Sequence, residues 1–207
     1  MTNTEKLATL LSAHIREASI SYCVQLWEKI PFHFHIKGSR KTKLGDFRYR
    51  RDRHTQMITI NSDLNPYQFL LTYIHEVAHL HAFTTYGIQI QPHGKEWKSI
   101  FQQLMLPLLT EKHLPIDILI PLRKHMISPK ASSSRDLFLM KEMSKYDHKA
   151  SNPDHVFLSD LKQGYQFDLS GRIFEKGETR RTRVVCTEVS TGKKFLIAQL
   201  AKVKPNL

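Results

Sequence analysis

The stretch Tyr73-Ile74-His75-Glu76-Val77-Ala78-His79-Leu80-His81 carries the pattern from which the fold of this 207-residue chain can be inferred. It contains His-Glu-x-x-His, which is typical of zinc-dependent hydrolases. Residues four apart on an α-helix lie about 40° apart on one face, so His75 and His79 can bind one ion. Glu76 lies about 100° from His75, where a carboxylate can reach a water at the metal without binding the metal itself.

The helix that carries this pattern is predicted to span residues 66–86. Asn65-Pro66 supplies an N-cap residue and a proline at the first helical position, and Gly87 is a natural stop. Apolar residues recur three and four positions apart and form a stripe roughly opposite the two histidines: Phe69, Leu70, Tyr73, Ile74, Val77 and Leu80. The pattern predicts a core helix with one face available for metal ligands.

His93 is the predicted third ligand, because catalytic zinc usually has three protein ligands and one open position. It follows His79 by fourteen residues, at the start of a second predicted helix over 93–106. His81 lies about 160° around the helix from His79, within the apolar stripe. We therefore interpret His81 as a buried histidine or one that supports the ligands, and not as a ligand.

The motif His75-Glu76-x-x-His79 followed by His93-Gly94-x-x-Trp97 resembles the SprT-like metalloprotease family, which includes the Spartan DNA–protein crosslink proteases. Similar segments lie upstream at 44–49 and 58–61, and the resemblance covers roughly residues 5–110. It implies a zincin-like endopeptidase that cleaves DNA-associated or DNA-crosslinked proteins, with DNA bringing enzyme and substrate together. Many bacterial members continue into a cysteine-rich zinc ribbon, which this sequence lacks, so one Zn²⁺ per chain is expected.

In such a site, His75, His79 and His93 hold Zn²⁺, which polarises the scissile carbonyl and lowers the pKa of water. Glu76 is the predicted catalytic base, which takes the water proton and delivers it to the leaving amine. Two other classes stay open: a zinc hydrolase with a dedicated protein substrate unrelated to DNA, and a non-catalytic DNA-binding protein with structural zinc. Glu76 argues against the latter class, because a structural zinc site does not need a base.

Lysine and arginine outnumber acidic residues by 31 to 19, a formal net charge of +12 that favours nucleic acid as a partner. Basic residues cluster at 37–53 with Phe47 and Tyr49 between them, which predicts a surface for single- or double-stranded DNA. The alternative is a solvated hairpin whose charges protect a sheet edge. The predicted contacts are Arg48, Arg50, Arg51 and Arg53, together with Arg180, Arg181 and Arg183 further along.

Composition breaks divide the chain into three predicted segments. Residues 1–127 are predicted as the zinc metalloprotease domain, of α+β class with a small antiparallel β-sheet. Residues 128–155 are predicted as a linker that can carry a short helix. Residues 156–207 are predicted as a small, basic, β-barrel-like module, because short alternating strands are separated there by glycines.

The cellular compartment is predicted from the cysteines and the N-terminus. Cys23 and Cys186 lack the spacing of a disulfide framework or a zinc site and fit a reducing environment. The first residues lack the basic and apolar regions of a secretory signal, and no segment approaches the ~20 apolar residues that span a bilayer. We expect a cytoplasmic protein without a membrane partner.

Overall fold

The computed structural model describes residues 1–40, 42–131, 136–147 and 154–206 of the chain. The chain divides into two compact units, Met1–His148 and Lys149–Leu207. Within the described residues there are six α-helices and two β-sheets, which confirms the predicted α+β class. The three-segment division stays a prediction, since the serine run at 132–134 and the break at 151–153 lie outside the described residues.

The Met1–His148 unit holds the helices and a three-stranded sheet. Its helices are α1 (Asn3–Ser12), α2 (Glu17–Lys29), α3 (Pro66–Tyr86), α4 (Lys95–Met105), α5 (Ile116–Ile127) and α6 (Leu137–Ser144). Its strands are β1 (His33–Lys37), β2 (Gly45–Arg48) and β3 (Met57–Asn61).

Local sequence sets both ends of α3, and its predicted bounds of 66–86 are confirmed. The Asn65 side chain accepts hydrogen bonds from two backbone N–H groups of the first turn, at 3.2 and 3.0 Å. Pro66 occupies the first helical position, where no intrahelical N–H bond is needed. Gly87 ends the helix with a φ of 77°, a left-handed conformation that costs a glycine little.

The predicted apolar stripe of α3 forms the centre of the core. Each of its side chains is at most 2% exposed: Phe69, Leu70, Tyr73, Ile74, Val77 and Leu80. Burying one such side chain contributes roughly 1.5–3 kcal/mol, so this stripe holds α3 firmly in place. The helix packs against β2, β3 and α4, and the half-buried His75 and His79 therefore face a cleft in the protein.

The three-stranded sheet has the order β1-β3-β2. β3 pairs in parallel with β1 and antiparallel with β2, so the prediction of an antiparallel sheet is wrong for one of its two pairs. The central place belongs to the most apolar strand, because Ile58 and Ile60 on β3 are fully buried. β3 therefore inserts between the two strands that precede it in the chain, and β2 becomes an edge.

The Lys149–Leu207 unit is a six-stranded sheet of antiparallel pairs with the order β4-β9-β5-β6-β7-β8. Among the described residues 154–206, no pairing joins the outer strands β4 and β8, so the predicted barrel-like closure is not confirmed. The outer strand β4 has only two residues, which pair with β9. The strands are β4 (Val156–Phe157), β5 (Gln166–Leu169), β6 (Arg172–Arg180), β7 (Arg183–Glu188), β8 (Lys194–Ala198) and β9 (Lys202–Asn206).

None of the helices in the described ranges is both long enough and apolar enough to cross a membrane.

Candidate metal centre

Three histidines meet beside α3. His75 and His79 lie one turn apart on α3, and His93 comes from the loop between α3 and α4. The Nε2 atoms of His75 and His79 are 3.2 Å apart, and Nε2 of His93 lies 2.9 Å from His79 and 3.2 Å from His75. Three ring nitrogens that converge in this way could hold a metal ion.

His93 has an unusual backbone conformation, and its ring lies against the two histidines of α3. His93 has a φ of 61°, in the left-handed region that non-glycine residues seldom adopt and that costs of order 1–3 kcal/mol. Because of this turn, α4 begins at Lys95 with Gly94 as its N-cap, and the predicted start of that helix at His93 is wrong. The loop is held by a 2.9 Å hydrogen bond from the Gly94 N–H to the Gln91 carbonyl.

Trp97 of α4 forms a wall behind the three imidazoles. Its ring centroid lies 4.7 Å from His75, 5.2 Å from His79 and 4.7 Å from His93. Trp97 is fully buried and stacks in turn on Phe101, at 4.8 Å. Trp97 belongs to the motif that carries the family resemblance, but its contact with the three imidazoles was not predicted from the sequence.

Burial keeps the three imidazoles neutral. It lowers the pKa of His75 to about 2 and that of His79 to about 3, with repulsion from the neighbouring imidazoles adding to the effect. Burial also lowers the pKa of His93 below its ordinary value. Neutral imidazole is the form that binds a metal cation, so the site has ligands ready in the required protonation state.

Glu76 lies beside the histidines and is held in place by the backbone of β2. Its side chain is buried, and Oε2 accepts a 2.8 Å hydrogen bond from the Phe47 N–H. Burial raises the pKa of the Glu76 carboxyl to about 8, although the hydrogen bond from Phe47 opposes this change. The carboxyl is thus placed to exchange a proton near neutral pH.

Gly45 allows β2 to approach α3 closely. A Cβ at this position would lie 2.6 Å from Cγ2 of Thr72 and 2.7 Å from Oε1 of Glu76. Non-bonded atoms cannot come so close, so the buried Thr72 and Glu76 side chains or β2 itself would have to shift. The hydrogen bond between Phe47 and Glu76 therefore depends on the missing side chain at Gly45.

We predict that Gly45→Ala lowers the free energy of unfolding by about 1–3 kcal/mol, because the buried Thr72 and Glu76 side chains or β2 must shift to make room for the methyl group. Urea denaturation of the two proteins measures the change. Gly38→Ala is the matched control, because no atom lies within 4 Å of a Cβ built there. Equal midpoints for wild type and Gly45→Ala would show that the contact is not tight.

The histidines and Glu76 line one cleft of about 510 Å³. Residues 42–47 lie along it. Pro92, in the loop between α3 and α4, and Phe101 of α4 also line it. His125, at the end of α5, also lines this cleft, and sequence reasoning did not find it. No motif marks His125 in the sequence, because it reaches the cleft through the packing of α5.

His81 lies outside the group of three histidines. It is half-buried on α3, and its Nε2 is buried without a hydrogen-bond partner in the described part of the chain. Burial and the positive charge of Lys29 lower the pKa of His81, which keeps this imidazole neutral too.

The arginines predicted to contact DNA are all exposed, and they fall in both units. Near the cleft, the loop after β2 is fixed by Gln56, whose side chain donates to the Arg53 carbonyl at 2.7 Å and accepts from the Arg50 N–H at 2.7 Å. Phe47, expected among the arginines as a base-stacking residue, instead packs on His79 with a centroid distance of 6.4 Å. The exposed set is Arg48, Arg50, Arg51 and Arg53 in the first unit, and Arg180, Arg181 and Arg183 at the β6–β7 turn in the second.

Comparison with protein families shows that the model of the SprT-like family matches residues 16–118. This segment runs from α2 into the start of α5 and includes the three histidines, Glu76 and Trp97. The resemblance inferred from the motif is therefore confirmed. No curated protein and no solved structure matches the chain.

Proposed function

The chain belongs to the SprT-like family through residues 16–118, and from this membership we propose that it is a zinc-dependent endopeptidase. The observation that carries the proposal is the meeting of three neutral imidazoles with a buried carboxyl group in one cleft. A zincin-like arrangement of the first unit and a cytoplasmic location belong to the same proposal.

The three imidazoles fit Zn²⁺ in chemistry and in spacing. Tetrahedral zinc with Zn–N bonds of about 2.0–2.1 Å requires ligand nitrogens about 3.3 Å apart, and the Nε2 separations of 2.9 to 3.2 Å come close to that. Three protein ligands leave one position open, as in catalytic sites. A bound Zn²⁺ supplies Lewis acidity, which polarises a carbonyl group and acidifies water.

Glu76 is the residue that moves the proton. As the water oxygen bonds to the scissile carbonyl carbon, one water proton passes to the Glu76 carboxylate and the π electrons move to the carbonyl oxygen. The C–N bond then breaks while Glu76 returns that proton to the amine nitrogen. The position of Glu76 supports this role, because its carboxyl group lines the same cleft as the three histidines and is held there by the Phe47 N–H.

The edge strand β2 supports the binding of an extended polypeptide. β2 pairs with β3 on one side only, and residues 44–47 line the cleft. The Phe47 N–H points away from β3 towards Glu76, so the outer edge of β2 runs past the proposed base. A substrate chain added along this edge gains main-chain hydrogen bonds with little demand on its sequence.

DNA-associated or DNA-crosslinked proteins are the proposed substrates. The net charge of +12 and the exposed arginines support attraction to phosphates. The loop with Arg50, Arg51 and Arg53 directly follows β2, the strand along which a substrate would lie. DNA held by this loop would therefore bring attached proteins to the cleft.

The test of this function measures zinc content by elemental analysis and cleavage of casein and histones, with and without single- or double-stranded DNA. We expect about one zinc per chain and faster histone cleavage when DNA is present. Zinc-dependent cleavage that DNA neither binds nor stimulates would leave a zinc hydrolase with a dedicated protein substrate. Absence of cleavage with full zinc would contradict the peptidase itself.

We predict that replacing Arg48, Arg50, Arg51 and Arg53 together by Ala reduces DNA affinity and lowers the salt dependence of binding. When the logarithm of the binding constant is plotted against the logarithm of the salt concentration, each lost phosphate contact makes the slope about 0.9 less steep on duplex DNA. Four lost contacts therefore reduce the slope by about 3 to 4. Gel-shift titrations between low and physiological salt measure the slope. Cleavage of a short free peptide and zinc content should stay close to wild type.

The matched variant replaces Arg180, Arg181 and Arg183, which lie in the other unit. If the second unit also binds DNA, this variant lowers DNA affinity in the same way. If the second unit binds peptides instead, the variant changes which protein substrates are cleaved. An unchanged salt slope in the four-arginine variant would remove the loop after β2 from the DNA surface.

A further inference from the structure

His125 is a buried imidazole at the cleft with no part in the metal group or in the proton transfer described above. It lies in the last turn of α5 and lines the same cleft as His75 and Glu76. Its side chain is 2% exposed. Burying a polar group costs free energy unless the group is hydrogen-bonded, so the contacts of each ring nitrogen indicate what the ring can do.

Asp136 determines the state of one of those nitrogens. Nδ1 of His125 lies 3.0 Å from Oδ2 of Asp136, and an ionised carboxylate only accepts, so Nδ1 carries a proton. Oδ1 of Asp136 accepts the Leu139 N–H at 3.2 Å and caps α6. The N-terminus of a helix favours a negative charge, so α6 holds Asp136 as the acceptor that orients His125.

The last turn of α5 places the same ring beside helix carbonyl groups. Carbonyl groups in the last turn of a helix carry partial negative charge, and His125 lies in that turn. Gln102 of α4 fixes the turn by donating to the Met126 carbonyl at 2.7 Å. In the imidazolium form, Nδ1–H donates to Asp136, and Nε2–H is a second donor that no described residue accepts.

Other donors along the cleft are already engaged or exposed. Lys43 forms an ion pair with Asp46 at 3.0 Å, and its side chain is 40% exposed. The Thr72 hydroxyl donates to the Gln68 carbonyl at 2.7 Å. His125 differs from both, because it is buried, it is oriented by Asp136, and no acceptor for its second ring nitrogen lies among the described residues.

We propose that His125 is a further catalytic residue, which as an imidazolium paired with Asp136 donates a hydrogen bond from Nε2–H to the scissile carbonyl oxygen as negative charge develops on it. This inference rests on the peptidase function proposed above. Asp136 is a positioning residue that acts through His125. A buried, preoriented donor stabilises a developing oxyanion more than the ground-state carbonyl, so the effect falls on kcat rather than on KM.

Three substitutions separate the donor from a structural contact. His125→Asn keeps an amide near the Nδ1 position, where it can still meet Asp136, but places no donor in the cleft. We expect kcat to fall about 10²-fold with KM changed less than about threefold. His125→Gln carries an amide N–H to about the Nε2 position and should recover kcat to within about tenfold of wild type. His113→Asn is the control, because His113 also uses Nδ1, 3.0 Å from Ser19 Oγ, and does not line the cleft.

Asp136→Asn tests the positioning role without removing the helix cap, because Asn caps helices as well as Asp does. Loss of the carboxylate charge should lower kcat about tenfold and leave KM, zinc content and the urea midpoint nearly unchanged. A purely structural pair would instead lower the urea midpoint and leave kcat of the folded protein at its wild-type value, which would overturn the proposal.

Binding of a peptide phosphonate, a stable tetrahedral anion, gives a readout that does not require turnover. Zinc-loaded His125→Asn should bind it about 10²-fold more weakly than zinc-loaded wild type does. If wild type cleaves peptides while kcat and phosphonate affinity are the same in His125→Asn, His125 is not the donor and the peptidase function stands. If wild type binds the phosphonate through His125 but cleaves nothing, the donor stands and the proposed peptidase function fails.

Discussion

Glu76→Gln is expected to lower proteolysis at least about 10²-fold while the metal centre stays assembled. Gln has nearly the same shape as Glu, and its carbonyl oxygen can accept the Phe47 N–H that Oε2 accepts at 2.8 Å. It cannot accept a proton from water at neutral pH. The loss therefore falls on the chemical step, while the packing of α3 against β2 is retained.

Initial rates of casein cleavage, measured at equal zinc content, give the size of this effect. Glu111→Gln is the matched control, because Glu111 is exposed and does not line the cleft. The urea midpoint of Glu76→Gln should equal or exceed that of wild type, since burial no longer opposes a charge at this position. Near-normal proteolysis by fully zinc-loaded Glu76→Gln would mean that another group is the base.

His79→Ala is expected to reduce zinc from about one ion per chain to a small fraction, and proteolysis with it. The Nε2 atom of His79 lies within 3.2 Å of both other Nε2 atoms, and the three atoms form a nearly regular triangle. Two remaining imidazoles do not complete a three-ligand site. His75→Ala and His93→Ala should act in the same direction, and full zinc in His93→Ala would remove His93 from the ligand set.

His81→Ala is the matched control on the same helix, and it should keep full zinc because His81 lies outside the group of three. Metal removal gives a second readout. Wild type stripped by a chelator should gain about 4 kcal/mol of stability when zinc is restored at about 1,000 times its dissociation constant. His79→Ala should gain little under the same conditions, whereas His81→Ala should gain as much as wild type.

The amino-acid sequence determined α3 and the relation between its ligands. Asn65, Pro66 and Gly87 act on the backbone within one turn of themselves, so they mark the ends of the helix without knowledge of the rest of the fold. The 3.6-residue repeat places His75 and His79 on one face for the same local reason. The confirmed resemblance to the SprT-like family depends on these short-range patterns and on the spacing to His93.

Only the tertiary structure decided which distant residues surround that site. The order β1-β3-β2 follows from burying the apolar β3 in the centre, and it brings the Phe47 N–H to Glu76 across 29 residues of sequence. The wall formed by Trp97 and the pair of His125 with Asp136 arise when helices bury their apolar faces together. Helix caps and the helical repeat act within a few residues, whereas these contacts form only when the whole core is packed. No local sequence pattern therefore predicts them.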